Sequence, residues 1–145
     1  MKIQIAITDT EIAACYPVMR ELRPHIAADQ FIARVRSQER TGFRLAFAQE
    51  MDAVVAVAGF RIVENLGWGR FLYVDDLVAH STMRSMGYGA KFLSWLKEYA
   101  LTESCVQLHL DSYMQRTEAH RFYQREGVMI AGYHFAVDLA PSKSL

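Results

Sequence analysis

Residues 84–90 read Arg-Ser-Met-Gly-Tyr-Gly-Ala, with two glycines placed where a helical pattern begins. Glycine is the poorest ordinary helix former, so using it twice at a helix start needs a reason. A turn that feeds a helix leaves several backbone N–H groups unpaired and lies at the positive end of the helix dipole. With no side chain at Gly87 or Gly89, a phosphate can come within hydrogen-bonding distance of the chain there. Just upstream, Asp75 and Asp76 interrupt a run that otherwise reads as an interior strand, and they are candidates for moving a proton. Neighbours in a strand point to opposite faces, so only one of the two is expected to face a given cleft. Glu64 is a weaker third acid.

Other chemistries fail on spacing. No segment fits a Walker A loop, and counting from Gly87 the sixth residue is Phe92, which breaks a dinucleotide fingerprint. The nucleophile elbow G-x-S-x-G is absent. Cys105 and His109 are four apart in an expected strand, roughly 13 Å, too far for a thiolate–imidazolium pair. The five histidines show no metal-binding spacing. What remains is R-x-x-G-x-G at a strand-to-helix junction, for which an ordinary tight turn is the plain alternative.

The elements that would position these residues follow from periodicity. Ile3, Ile5 and Ile7 alternate as a strand, and Asp9 and Thr10 can cap a helix carrying Ile12, Cys15, Met19 and Leu22. Pro17 predicts a kink there, or two shorter helices, and Arg23-Pro24 ends the pattern. A second helix bears Phe31, Ile32 and Val35 and stops at Thr41-Gly42. Strands over 43–49 and 53–64 flank Glu50-Met51-Asp52 as a hairpin, and a turn over 65–69 leads to a strand over 70–79. Gly89, Leu93, Leu96 and Ala100 mark a helix, Val106, Leu108 and Leu110 a strand, and Ala119, Phe122, Tyr123 and Glu126 a helix stopped by Gly127. Two short strands, 128–130 and 134–139, and a tail over 141–145 complete the chain. Hairpins first and a βαβ crossover later predict an α/β fold: a mixed, mostly antiparallel central sheet with helices on both faces.

At 145 residues the expectation is one domain over 1–140. Sixteen basic residues balance sixteen acidic ones, which argues against a surface built for nucleic acid. The longest uncharged central run, 53–60, is far short of the roughly 20 residues that span a bilayer. Cys15 and Cys105 lack metal-type or disulfide-framework spacing, which fits a reducing cytoplasm.

Arg84-Ser-Met-Gly87-Tyr-Gly89, between a strand and an amphipathic helix, resembles motif A of the GNAT superfamily of acyl-CoA-dependent N-acetyltransferases. About thirty residues on, Ala119-His-Arg-Phe122-Tyr123-Gln-Arg-Glu-Gly127 resembles the family's next segment, A-x-x-F-Y followed by glycine. The element order over nearly the whole chain is similar too. The resemblance implies transfer of an acetyl group from acetyl-CoA to a primary amine, by direct attack in a ternary complex. It implies that the pyrophosphate of coenzyme A meets Arg84, Met86, Gly87, Tyr88, Gly89 and Ala90, and that Leu77, Val78 and Ala79 line the pantetheine arm. Arg116 stands where the family often has a cofactor-holding Asn; arginine can donate but not accept. Val128 replaces the usual aromatic.

Acetyl transfer poses two proton problems: the ammonium must lose one, and the departing thiolate must gain one. By the resemblance Tyr123 is the acid that protonates the thiolate; the alternative is a buried tyrosine with a satisfied hydroxyl. The resemblance, through a family position often acidic, ranks Asp75 first as base and Asp76 second. The alternative is a structural cap or salt bridge, weightier for Asp76, and an acceptor of low pKa would need neither. Trp68, Tyr73 and the basic group Arg20, Arg23 and His25 are candidates for lining an acceptor pocket, though a turn aromatic and a solvated helix face account for each singly. The acceptor is a small-molecule or peptide amine. A homodimer is implied by resemblance only. The rival function is a non-catalytic acyl-CoA-binding sensor or regulatory module.

Overall fold

Thr8 opens the first helix by a reciprocal capping box: its hydroxyl accepts from the Glu11 N–H, and the Glu11 carboxylate accepts from the Thr8 N–H at 2.9 Å. The cap therefore lies just ahead of Asp9 and Thr10, the expected pair. In the computed structural model, which describes residues 1–140, this helix α1 (Asp9–Leu22) follows strand β1 (Lys2–Ile5) and runs through Pro17 as one helix, not two. A proline removes only one donor from the ladder, and Ile12, Cys15, Val18 and Met19 bury one face around it. The expected tail over 141–145 lies outside the described residues.

Helix α2 (Ala28–Glu39) is followed by β2 (Phe43–Glu50), β3 (Ala53–Asn65) and β4 (Gly69–Ala79). Met51 and Asp52 join β2 to β3 with φ of 48° and 65°, the two left-handed residues of a tight hairpin turn. Helix α3 (Tyr88–Thr102) crosses over to β5 (Gln107–Leu110), which pairs parallel to β4. The sheet order is β1-β2-β3-β4-β5, antiparallel except for that last pair.

Alternation along β2 separates two cores. Ala46 and Ala48 face a cluster with Phe60, Leu72, Val74, Phe92 and Leu96, which holds α3 against the sheet. Phe43, Leu45 and Phe47 face Ile12, Cys15, Val18, Phe31 and Val35, which hold α1 and α2 against the other side. A mixed sheet with helices on both faces is thus the observed fold of residues 1–110, the larger of two compact units.

The second unit begins at Asp111 and contains α4 (Thr117–Arg125). The two strands expected over 128–130 and 134–139 do not form. Tyr133, Phe135, Val137 and Leu139 keep the period of a strand, yet they are 85%, 89%, 75% and 95% exposed. A period of two makes a strand only where a partner backbone completes the ladder.

Candidate active site

The glycine turn is shaped by its backbone. After β4, Ser81–Met83 form a single 3-10 turn capped by the His80 ring, whose Nδ1 accepts from the Thr82 N–H at 3.2 Å. Ser85 and Gly87 both take left-handed φ, 70° and 81°, and Gly87 is the N-cap of α3. No side chain caps that helix, and a Cβ placed on Gly87 would meet no atom within 4 Å. The first-turn amides of α3 thus lack a side-chain cap, there is room beside Gly87, and the positive end of the dipole lies behind them.

Around this opening the expected residues play different parts. Met86 is 59% exposed, whereas the Tyr88 side chain is buried in the core beneath α3, so Tyr88 has only its backbone to offer a ligand. Gly89 and Ala90 sit half-buried in the first turn of α3. Arg84 is largely exposed; its Nε donates to the Ala79 carbonyl at 3.5 Å and its Nη2 lies 3.5 Å from Glu21. Leu77 packs towards α3 and Val78 towards α1, while Ala79 continues the ladder opposite Ala56. Strand β4 pairs with β5 only over Phe71–Val74, so among the described residues the stretch 75–79 has no ladder partner on that side.

The two aspartates break the expected alternation. In the β3–β4 register Gly59 faces Asp76 and Phe60 faces Val74, so Asp75 is an extra residue in a β-bulge. Asp75 is gripped by Arg61, whose Nε and Nη2 donate to its two carboxylate oxygens at 3.1 and 2.6 Å. Asp76 accepts from Nε of Arg23 at 2.6 Å, and Nη2 of the same arginine donates to the Asp75 carbonyl at 3.2 Å. The bulge thus gathers both acids into one four-charge cluster. Burial pushes the Asp76 carboxyl up, and Arg23 pulls it part of the way back. Glu64 pairs with Arg70, five residues from Asp75, so it lies roughly 17 Å of strand away from the two aspartates.

Gly59 makes room for this arrangement. A Cβ there would lie 2.6 Å from the Phe43 ring and 2.9 Å from Oδ2 of Asp76. Neither Gly59 nor Arg61 stood out in the sequence, because cross-strand register brings them to the acids and leaves no local spacing to read. Arg23 did, as a candidate for lining an acceptor pocket. Trp68, also proposed for that pocket, stacks on His109 at 3.8 Å between ring centroids.

In the second unit, Arg116 is the N-cap residue of α4 and is exposed. Tyr123 is half-buried, one turn after Ala119. Burial pushes its phenol above the ordinary range, and Arg116 draws it partly back. Gly127 ends the helix at φ 84°, and the Val128 N–H closes onto the Tyr123 carbonyl at 2.9 Å. Ser112 Oγ is buried with no hydrogen-bond partner among the described residues.

The sequence model of the acetyltransferase (GNAT) family matches residues 8–128. The chain belongs to that family. The uncharacterized N-acetyltransferase YhdJ of Bacillus subtilis strain 168 is 31% identical over 127 residues, covering 86% of this chain and 89% of the relative. The fold is similar to that of AAC(6')-Iy in complex with a bisubstrate analogue, CoA-S-monomethyl-acetylneamine: TM-score 0.83, 11% identity, 96% of this chain and 97% of that one. It is similar also to a transcriptional regulator from Bacillus halodurans C-125, with TM-score 0.82, 18% identity and coverage of 95% and 99%. The protein is therefore an N-acetyltransferase of the GNAT type, and acetyl-CoA is its co-substrate. No helix among the described residues is long and apolar enough to cross a membrane.

Proposed function

We propose that the protein transfers acetyl from acetyl-CoA directly to a primary amine of a small molecule or peptide, within a ternary complex formed by one acyltransferase domain over residues 1–140. The observation that carries this reading is the start of α3: a left-handed Gly87 with open space above it and amides that no side chain caps. In the proposal the pyrophosphate occupies the amides of residues 86–90, with Arg84 beside it. The pantetheine arm runs along Leu77–Ala79, whose outer main-chain groups have no partner in β5, and Arg116 donates to the coenzyme.

The amine must reach the thioester as a free base. Asp76 and Asp75 are the proposed proton acceptors, and the balance now favours Asp76. Its carboxyl is held up by burial, which raises its affinity for a proton, whereas Asp75 has both oxygens occupied by Arg61. Tyr123 is the proposed proton donor to the leaving thiolate. A phenol is protonated at neutral pH, as a donor must be, and burial pushes that of Tyr123 further in the same direction. Direct attack is the proposed route, since no activated nucleophile accompanies these groups among the described residues. The family resemblance also supports a homodimer. The free cysteines Cys15 and Cys105 fit a reducing, cytoplasmic setting.

A second reading, a non-catalytic acyl-CoA-binding module, draws on one observation: both candidate bases are already paired with arginines. Release of free thiol from acetyl-CoA across a broad panel of amines separates the two. The enzyme reading expects turnover with a subset of amines, and expects Tyr123→Phe to lower kcat about 100-fold or more with CoA affinity retained. Absence of turnover on every amine, with CoA still bound, would favour the binding module.

A further inference from the structure

The C-terminal end of α1 touches β4 and the turn that follows it at two separate points. Arg23 holds the bulge, through the Asp76 carboxylate and the Asp75 carbonyl. Glu21, two residues earlier, holds the other end: its Oε1 and Oε2 accept from the Ser81 N–H at 3.0 and 3.2 Å. The same carboxylate lies 3.5 Å from the Arg84 guanidinium and 3.8 Å from the His80 ring. Its side chain is only 22% exposed, although it carries a charge. Between the two grips lie residues 77–80, and beyond the second begins the glycine turn.

We propose that Glu21 is a positioning residue for coenzyme A, fixing where β4 ends and the glycine turn begins. The inference rests on the placement of the coenzyme given under Proposed function. Besides Glu21, one ladder bond, from the His80 N–H to the Val55 carbonyl at 2.8 Å, ties the stretch 80–84 to a neighbouring strand. Its other hydrogen bonds are local, from Met83 to the His80 carbonyl, from Thr82 to the His80 ring and from Arg84 to the Ala79 carbonyl. A carboxylate accepting from a backbone N–H is among the stronger hydrogen bonds available to a turn. It also restrains Arg84, which in the proposal must be aimed at the pyrophosphate. Losing the anchor makes the coenzyme order the turn itself on binding, and that cost is subtracted from its affinity.

Two variants separate the parts. Glu21→Gln keeps an acceptor for Ser81 and loses the charge beside Arg84 and His80; Glu21→Ala loses both. Binding of CoA to the intact protein is measured by calorimetry, with thermal unfolding of each variant alongside. Glu21→Ala is expected to weaken CoA binding about tenfold, with Glu21→Gln between it and the wild type. In turnover assays the KM for acetyl-CoA rises while kcat changes little. A residue that merely stabilises α1 would lower the unfolding temperature and leave the affinity of the folded protein unchanged. CoA affinity within twofold of wild type in Glu21→Ala overturns the inference; if that variant does not fold, an unchanged affinity in Glu21→Gln does so. Failure of the wild type itself to bind CoA would bring down the coenzyme placement, and this inference with it.

Discussion

Arg23 sets how readily Asp76 takes a proton. Its positive charge and its hydrogen bond both favour the ionised carboxyl, against burial and the nearby Asp75, which favour the neutral one. A base works only while ionised, so activity falls as pH drops through its folded-state pKa. Replacing Arg23 by Met removes two of the influences holding that value down, so the acid limb of the kcat/KM profile is expected to move to higher pH. A limb that stays in place would mean that some other group titrates there. The stability sign is opposite. With a folded pKa above the unfolded one, the contribution of Asp76 is complete below the unfolded value and is lost as pH rises through the folded one. Little of this was legible beforehand. Asp75 and Asp76 stood out because they interrupt an apolar run, but the bulge that gathers both into one cluster is a property of two strands in register, as is the partnership of Arg61 with Asp75.

Elements were more legible than contacts where a local rule decided them. The hairpin at Met51-Asp52, the start of α3 at the glycine pair and the stop at Gly127 each follow from turn chemistry, and each appears in the fold. The alternation over 134–139 misled, because period is local and ladder pairing is not. Strand β3 carries a constraint that the sequence pattern hid altogether. Gly59 reads as a weak spot in a strand, yet an added methyl would enter the Phe43 ring and the Asp76 carboxylate. Phe43 is 4% exposed and Asp76 is tied to Arg23, so neither has an easy retreat. Gly59→Ala is therefore expected to cost about 1–3 kcal/mol of stability by chemical denaturation. It should lower kcat by a larger factor than it raises the Kd for CoA, because the displaced group belongs to the acid cluster. Wild-type stability in that variant would show that the strand can shift to admit the methyl.

For the molecule as a whole, Cys15 makes stability depend on alkaline pH. It sits among Ile12, Val18 and Phe31 with its pKa pushed up to about 12, chiefly by burial and secondarily by Glu11. A thiol with a raised folded pKa contributes fully below its ordinary value of 9.0 and loses that contribution between pH 9 and 12. The loss reaches about 4 kcal/mol at most. Unfolding free energies measured at pH 8 and pH 11 should differ more in the wild type than in Cys15→Ala; equal differences would mean that other groups set the alkaline slope. A further consequence concerns how an acceptor arrives. The chain carries sixteen positive and sixteen negative side chains, and the cluster of Arg23, Arg61, Asp75 and Asp76 also sums to zero. With no net charge the molecule as a whole neither attracts nor repels a charged amine at long range, so any steering comes from how the charges are distributed, and salt is expected to change the encounter rate only through such local patches.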